Sequence, residues 1–151
     1  MKDGNEEKRT YLYSTTEPKL TIRDYYNRDT VIYFNEFGKT TSIKDAYLKT
    51  TYYMWDSDLN RTSITDPESN QTTFTYDSNG NMLTTTRTKN STPYTTTFTY
   101  DPTYNKVTTI TDAKSRLTTQ FDYTPLNGNL TTITNVIPDE PDYVTSFDYD
   151  T

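Results

Sequence analysis

The sequence contains neither cysteine nor histidine among its 151 residues. Without cysteine the chain can form neither a disulfide framework nor a thiolate metal site. Without histidine it lacks the side chain most often used as a general base, a metal ligand or a pH switch near neutrality. We therefore expect no cofactor and no metal site.

Large apolar side chains are also scarce, because Leu, Ile, Val and Phe together supply only 25 residues. Such a content is typical of disordered chains. Two observations favour a folded chain: the net charge of −6 is modest, and 35 Thr and 15 Tyr are strand-favouring residues. We expect a thin core of tyrosine rings and threonine methyl groups, in which each ring hydroxyl needs a partner or water.

Long apolar runs and a basic surplus are missing as well. No run approaches the roughly 20 residues of a membrane span, and the opening MKDGNEEKRT lacks the apolar region of a signal peptide. The acidic balance, with a pI of about 4.6, disfavours phosphate binding. The sequence thus predicts neither a membrane span nor a nucleic-acid partner.

What the chain has instead is internal repetition. Five ten-residue windows align without gaps. A sixth window begins with FDYD at Phe147 and is cut off by the end of the chain. The five windows begin at Val31, Tyr53, Phe74, Phe98 and Phe121. A degenerate unit with Tyr11 and Tyr13 precedes them. We interpret residues 1–151 as a single repeat array that is a segment of something longer.

Each unit has the pattern of a β-hairpin. Two aromatic residues separated by one position, such as Phe74 and Tyr76, place two rings on one face of a strand. A polar turn such as DSNGN (77–81) follows, in which Asn-Gly favours a tight hairpin. The return strand is rich in Thr and β-branched residues. The sequence therefore predicts an all-β fold of tandem antiparallel hairpins in an elongated, curved sheet.

One spacing in the return strands does not fit simple alternation. Val107 and Ile110, like Leu130 and Ile133, are three residues apart, and would face opposite sides of a flat strand. Either a bulge intervenes or both faces are partly covered. The sequence leaves both alternatives open.

The repeated sequence motif resembles the YD repeat of the Rhs family. The resemblance rests on FTYD at 74–77 and 98–101, on NGN at 79–81 and 127–129, and on TITD at 109–112. Two features depart from the family pattern: the Gly-Arg usual in the turn is absent, and the Tyr-Asp pair becomes Tyr33-Phe34 and Tyr123-Thr124. The residues that define the repeat are Tyr33, Gly38, Trp55, Phe74, Tyr76, Asp77, Gly80, Phe98, Tyr100, Asp101, Phe121, Tyr123 and Gly128.

The resemblance implies a non-catalytic structural segment of a spiral β-shell that encloses or presents a toxin or other cargo polypeptide. Such repeats occur in bacterial polymorphic toxins, in wall-associated proteins and in teneurins, which implies a secreted or cell-surface location. The implied partners are further YD repeats, a second copy at open sheet edges, a toxin cargo or a glycan. The alternative function is a cell-surface module that binds carbohydrate or protein, and the third is a decayed fragment without function.

Three kinds of candidate site were weighed against these structural roles. Residues 56–66 carry oxygen side chains at the first positions of an EF-hand loop, but Arg61 and Pro67 replace its glycine and glutamate. Carboxylates such as Asp101 and Asp112 recur at turns, which explains them without acid–base chemistry. We therefore predict no catalytic residue and no enzymatic activity. Three aromatic residues are the candidate ligand surface: Trp55, Tyr94 and Tyr104.

Overall fold

The computed structural model describes residues 9–114, 116–137 and 139–149. Thirteen β-strands and no helix occur in this part of the chain, which confirms the predicted all-β fold of antiparallel hairpins. The strands fall into two compact units, one ending at Gln71 and the other beginning at Thr72. The organisation of the units as a single array stays a prediction.

The first unit contains six strands, each antiparallel to the strand before it. They are β1 (Thr10–Tyr13), β2 (Lys19–Arg23), β3 (Asp29–Phe34), β4 (Thr40–Lys44), β5 (Thr50–Trp55) and β6 (Arg61–Thr65). Strands β3 and β5 carry the aromatic pairs of the repeat, and β4 and β6 are return strands.

The second unit has the same up-and-down order. Its strands are β7 (Gln71–Tyr76), β8 (Met82–Lys89), β9 (Thr92–Tyr100), β10 (Val107–Thr111), β11 (Leu117–Tyr123), β12 (Leu130–Asn135) and β13 (Tyr143–Ser146). The aromatic pairs lie on β7, β9 and β11. The hairpins therefore coincide with the units seen in the sequence.

A β-bulge occurs in each of the five return strands β4, β6, β8, β10 and β12. In β10, Val107 pairs with Tyr100 and Thr109 pairs with Thr99, so that Thr108 is an extra residue. The equivalent extra residues are Thr41, Thr62, Leu83 and Thr131. Because one extra residue restores the alternation, residues three apart such as Val107 and Ile110 share a face. The bulge is thus the alternative that holds.

The register also moves the first aligned unit by one residue. Phe34 precedes the turn that begins at Asn35, as Tyr76 precedes the turn that begins at Asp77. Phe34 therefore takes the place of the repeat tyrosine, and Ile32 takes the place of Phe74. Tyr33 points to the other face of its strand, because neighbouring strand residues alternate. A gap-free alignment of the sequence that starts this unit at Val31 puts Tyr33 at the repeat position instead, one residue out of register with the structure.

We call the face that carries these aromatic positions the ring face of each unit. In the first unit it includes Ile32, Phe34, Ile43, Tyr53, Trp55 and Ile64. All of these side chains are half-buried, and no hydrophobic side chain in the described chain is fully buried. The thin core expected from the composition is thus a half-covered layer of rings and aliphatic side chains.

Candidate functional site

The turns after the aromatic strands are built around one side chain. In the turn of residues 77–81, Asp77 Oδ1 accepts the backbone N–H groups of Asn79 and Asn81 at 2.9 Å each. The turn is closed by the Asp77 N–H, which donates to the Asn81 carbonyl at 3.0 Å. The aspartate of the Tyr-Asp pair therefore replaces missing backbone partners within the turn.

The connectors between hairpins repeat the same turn. Asp24, Asp45 and Asp66 each accept the N–H groups of the second and fourth residues after them, and Asn35 and Asp56 do so in the hairpin turns. The carboxylate and the amide are interchangeable in this role because both backbone N–H groups donate to the same oxygen, Oδ1. The same side-chain-to-backbone turn is thus found both within hairpins and in the connectors between them.

The fourth residue lies in the left-handed backbone region in the five-residue turns 24–28, 35–39, 45–49, 56–60, 66–70 and 77–81. Glycine occupies it at Gly38 and Gly80, with φ of 74° and 81°, but Leu48, Leu59 and Ser69 adopt the same conformation. The hairpin predicted from Asn79-Gly80 is present, and within that pair only the glycine has a positive φ. Two consecutive positive values occur at Asn90 and Ser91, in the turn between β8 and β9.

The second ring of an aromatic pair fastens its strand to the hairpin before it. Tyr100 donates its hydroxyl to the Met82 carbonyl at 2.9 Å, and Tyr123 donates to the Val107 carbonyl at 2.8 Å. In the first unit, Trp55 Nε1 donates to the Thr40 carbonyl at 2.7 Å. Each acceptor is the first residue of a return strand, next to the bulge. We call these contacts ring-tip hydrogen bonds.

A lysine lies over two of these rings. Lys39 Nζ is 5.2 Å from the centre of the Trp55 ring, and Lys106 Nζ is 5.4 Å from the centre of the Tyr123 ring. Both lysines end the turn of the preceding hairpin, where the family pattern has arginine. At this distance a cation is attracted by the face of an aromatic ring. The lysines therefore add a second contact between consecutive hairpins.

The three predicted ligand-surface aromatics lie in different surroundings. Trp55 is half-buried and holds its ring-tip hydrogen bond. Tyr104 donates its hydroxyl to the Pro125 carbonyl at 2.9 Å, and its ring lies where a Cβ atom at Gly128 would come within 2.6 Å. Tyr94 is half exposed on β9, at the end of that strand remote from Tyr104. A ligand-binding role for them stays a prediction.

A cluster of exposed aromatics that the sequence reasoning missed lies on two connector turns of the first unit. The Tyr25 and Tyr26 rings meet edge to face at 5.4 Å. The Arg28 guanidinium lies 5.1 Å from the Tyr26 ring and 5.9 Å from the Tyr47 ring. These three tyrosines are 68–74% exposed. The only available sequence signal was an aromatic residue just after the first aspartate of a connector.

Hydrogen bonds favour the ionised form of two turn aspartates, Asp77 and Asp112. Hydrogen bonds from Arg116 lower the pKa of Asp112 to about 2, and the Asn81 side chain lowers the pKa of Asp77. Burial raises the pKa of Tyr100 and of Tyr123. The tyrosines therefore stay protonated as hydrogen-bond donors, and the aspartates stay ionised as acceptors.

Within the described residues, no group of three acidic side chains is arranged to hold a metal ion. A cavity of about 310 Å³ is lined by polar residues of the last hairpin turn together with Phe147 and Tyr149. No helix of the described chain is long and apolar enough to cross a membrane. The contacts that recur are those that join one hairpin to the next.

Strands, bulges, turns and ring-tip hydrogen bonds together define a tandem β-hairpin repeat. The family model with the description RHS Repeat matches residues 55–92 of this chain. The match covers the hairpin of β7 and β8 and the return strand before it, and it confirms the resemblance found in the sequence. No curated protein matches the chain.

Solved structures of protein complexes share the fold of this chain. The crystal structure of TcdB2-TccC3-Cdc42 matches with a TM-score of 0.67 at 15% identity, and that of TcdB2-TccC3 matches with 0.65 at 15% identity. Each match covers 94% of this chain but 10% of the solved chain. The likeness shows the fold, and this chain spans about a tenth of the length of the chains it matches.

Proposed function

We propose that this chain is a non-catalytic wall segment of an Rhs/YD-repeat protein, part of a β-shell that encloses or presents a toxin or other cargo polypeptide. The observation that carries the proposal is the ring-tip hydrogen bond. It uses the second aromatic residue of the repeat to join a hairpin to the preceding one, at Trp55, Tyr100 and Tyr123. A wall grows when each hairpin completes its contacts only on a neighbour.

The roles of the recurrent carboxylates support a structural function. Asp77 and Asp112 are ionised, and each accepts backbone N–H groups of its own turn. A general acid needs a raised pKa and a proton to donate. The lowered pKa values of both aspartates are the opposite of that requirement.

The cargo in this proposal comes from the likeness to these complexes. One solved structure of similar fold is the crystal structure of TcdB2-TccC3 without its hypervariable C-terminal region, with a TM-score of 0.63 at 15% identity. We propose that the complete protein containing this chain carries a separate polypeptide region and that its wall encloses that region. A secreted or cell-surface location is part of the same proposal.

Protease protection tests the enclosure. The complete reading frame that encodes this chain is expressed and treated with increasing protease, and fragments are identified by mass spectrometry. We expect a second polypeptide region to stay uncut until the repeat array is cleaved. A Tyr100→Ala, Tyr123→Ala double variant should expose that region at lower protease, whereas Tyr94→Ala should not. A reading frame with no protected region would contradict the proposal.

The outer strands suggest how the wall is extended. Every residue of β1 and of β13 is exposed. Unpaired strand edges accept further strands. We propose that these strands pair with further YD hairpins or, in the isolated chain, with a second copy. Sedimentation velocity should show association that rises with concentration, and a monomer at every concentration would contradict the edge pairing.

A binding module at the cell surface is the second candidate. The exposed cluster of Tyr25, Tyr26 and Tyr47 favours it, because exposed aromatic groups often mark contact surfaces. A glycan array tests it with the wild-type chain and with Tyr47→Ala, Trp55→Ala and Tyr104→Ala variants. Saturable binding that these substitutions abolish would support the module. An array without signal would leave the wall segment as the remaining function.

A further inference from the structure

The face opposite the ring face of the first unit carries an exposed patch. Tyr33 on β3 pairs with Ser42 on β4, which in turn pairs with Tyr52 on β5. The three side chains therefore lie side by side on one face. Tyr33 is 37% exposed, Tyr52 is 56% exposed, and Met54, two residues further along β5, is 62% exposed. We call Tyr33, Ser42, Lys44, Tyr52 and Met54 the tyrosine–methionine patch.

The patch has an apolar end and a cationic end. Lys44 lies two residues beyond Ser42 on β4, and its pairing with Thr50 places it away from Met54. Strand geometry separates the row of Lys44 from the row of Met54 by four residues, about 13 Å. A partner that touches both ends therefore needs about five extended residues.

Lys44 supplies a positive charge that has no ion-pair partner among the described residues. On the same face, Arg23 is paired with Asp29 at 2.6 Å, and Lys19 is paired with Glu17 at 2.5 Å. Among the described residues Lys44 forms no ion pair. The patch thus has a free positive charge on a chain whose net charge is −6. A carboxylate is the complementary group.

Methionine and tyrosine suit contacts with varied apolar side chains. The thioether of Met54 is flexible and polarisable, and the tyrosine rings offer large area at little conformational entropy. The equivalent face of the second unit lacks such groups. There the hydroxyls of Thr75 and Thr84, and those of Thr86 and Thr95, bond to each other at 2.7 Å and 2.8 Å.

We propose that the tyrosine–methionine patch binds an extended polypeptide segment that has an acidic side chain at one end and apolar side chains along the same face. The proposal rests on the proposed function, in which such a segment belongs to the cargo. The carboxylate pairs with Lys44, and the apolar side chains contact Tyr33, Tyr52 and Met54. The threonine face of the second unit holds no such segment.

The test uses two peptides that differ only at the first residue: acetyl-Asp-Thr-Val-Thr-Leu-amide and its counterpart with Lys in place of Asp. In an extended peptide, the first, third and fifth side chains share a face. The folded chain, labelled with ¹⁵N, is titrated by NMR at low salt. We expect shifts confined to β3, β4 and β5, and binding of the acidic peptide about threefold to fivefold tighter.

Two variants and a control separate the contributions. Lys44→Glu should reverse the preference between the peptides, and Tyr52→Thr should weaken both peptides alike. Both side chains lie on the surface, and circular dichroism checks that each variant folds. Thr97→Ser on β9 should change neither affinity. Equal binding of both peptides to every variant, or shifts outside β3–β5, would overturn the proposal.

A second copy is the competing occupant. If neither peptide binds and Tyr52→Thr instead abolishes self-association in sedimentation, the patch is an interface between copies and the cargo assignment is wrong.

A photo-crosslinking residue at position 52 or 97 of the complete protein separates this inference from the proposed function. Crosslinks to the protected region from position 52 but not from position 97 support the inference. A protected region that crosslinks from neither position leaves the wall function intact and contradicts the patch. Absence of any protected region contradicts the wall function, while the peptide titration still reports on the patch.

Discussion

Each of the two units has a ring face of the same design, but the units differ on the face opposite to it. Both use aspartate or asparagine turns, one bulge in each return strand, and ring-tip hydrogen bonds. Opposite the rings, the first unit exposes Tyr33, Tyr52 and Met54, whereas the second presents rows of threonine such as Thr75, Thr84 and Thr97. Contacts between hairpins therefore constrain one face, and the other is free to differ in its chemistry.

The largest expected difference between the units concerns two turn glycines. Gly38→Ala should cost about 1 kcal/mol, because alanine is strained at its φ of 74° but meets no neighbour. Gly128→Ala should cost about 3 kcal/mol, because the added Cβ would also lie 2.6 Å from the Tyr104 ring. Urea denaturation of both variants measures the difference.

A double variant checks the cause. In a Tyr104→Ala background, the cost of Gly128→Ala should fall to that of Gly38→Ala. An unchanged cost would show that the ring of Tyr104 is not the obstacle.

The turn acceptor gives the next largest effect. Asp77→Ala removes the oxygen that accepts the N–H groups of Asn79 and Asn81. The melting temperature of this variant should therefore be several degrees below that of the wild-type chain. Asp77→Asn should fall less, because Asn35 performs the same role in the first unit. Equal melting temperatures for the two variants would mean that the charge, and not the acceptor, stabilises the turn.

Loss of one ring-tip hydrogen bond should cost about 1 kcal/mol. Tyr100→Phe keeps the ring and removes only the donor to the Met82 carbonyl. The control is Tyr94→Phe on the same strand, since Tyr94 is half exposed and its hydroxyl has no partner among the described residues. The melting temperature of Tyr100→Phe should be lower than that of Tyr94→Phe. Equal melting temperatures would show that the ring-tip hydrogen bond does not stabilise the fold.

Acid should weaken the arginine-paired turns of both units. The pKa of Asp112 is lowered from 3.8 to about 2 by Arg116, and Arg28 N–H groups lower the pKa of Asp24. A lowered pKa in the folded state means stability that is present above pH 3.8 and lost as the pH falls towards 2. Arg116→Gln should reduce the drop in melting temperature between pH 5 and pH 2.5. If Arg116→Gln shows the same drop in melting temperature as the wild-type chain, the acid sensitivity comes from titratable groups other than Asp112.

The smallest effect is expected on the threonine face. Thr86→Val keeps the shape of the side chain and removes the hydroxyl bonded to Thr95 at 2.8 Å. Because a cross-strand threonine pair contributes only a few tenths of a kcal/mol, we expect a change of about 0.3 kcal/mol. A larger loss in urea denaturation would make the threonine rows a stabilising network of the second unit.

Most of the fold could be predicted from the sequence because alternation and turn residues are local signals. The hairpins and the absence of helices in the described chain followed from them, and the recurring FTYD, NGN and TITD motifs carried the resemblance to RHS repeats. The bulge could only be posed as an alternative, because the spacing of Val107 and Ile110 does not reveal which residue is extra. The position of Tyr33 was also ambiguous, since an aromatic residue fits either face of a thin sheet.

The contacts of the candidate sites were less accessible to sequence reasoning. The ring-tip hydrogen bonds join residues 15 to 18 positions apart, at carbonyl groups that no side-chain pattern identifies. The Tyr25, Tyr26 and Tyr47 cluster forms because two connector turns lie at the same end of adjacent hairpins. Such proximity depends on register between strands, which becomes visible only when the chain is folded.

The bulges make each return strand tolerant of losing one residue. Removing Thr108 would close the bulge and leave Val107 and Ile110 two residues apart, still opposite Tyr100 and Phe98, so that both side chains stay on the ring face. A second deletion in the same strand has no bulge to absorb it and would turn Ile110 to the opposite face. The extra residue of each return strand is therefore a reserve of length: a unit that is one residue shorter keeps the face on which it contacts its neighbours.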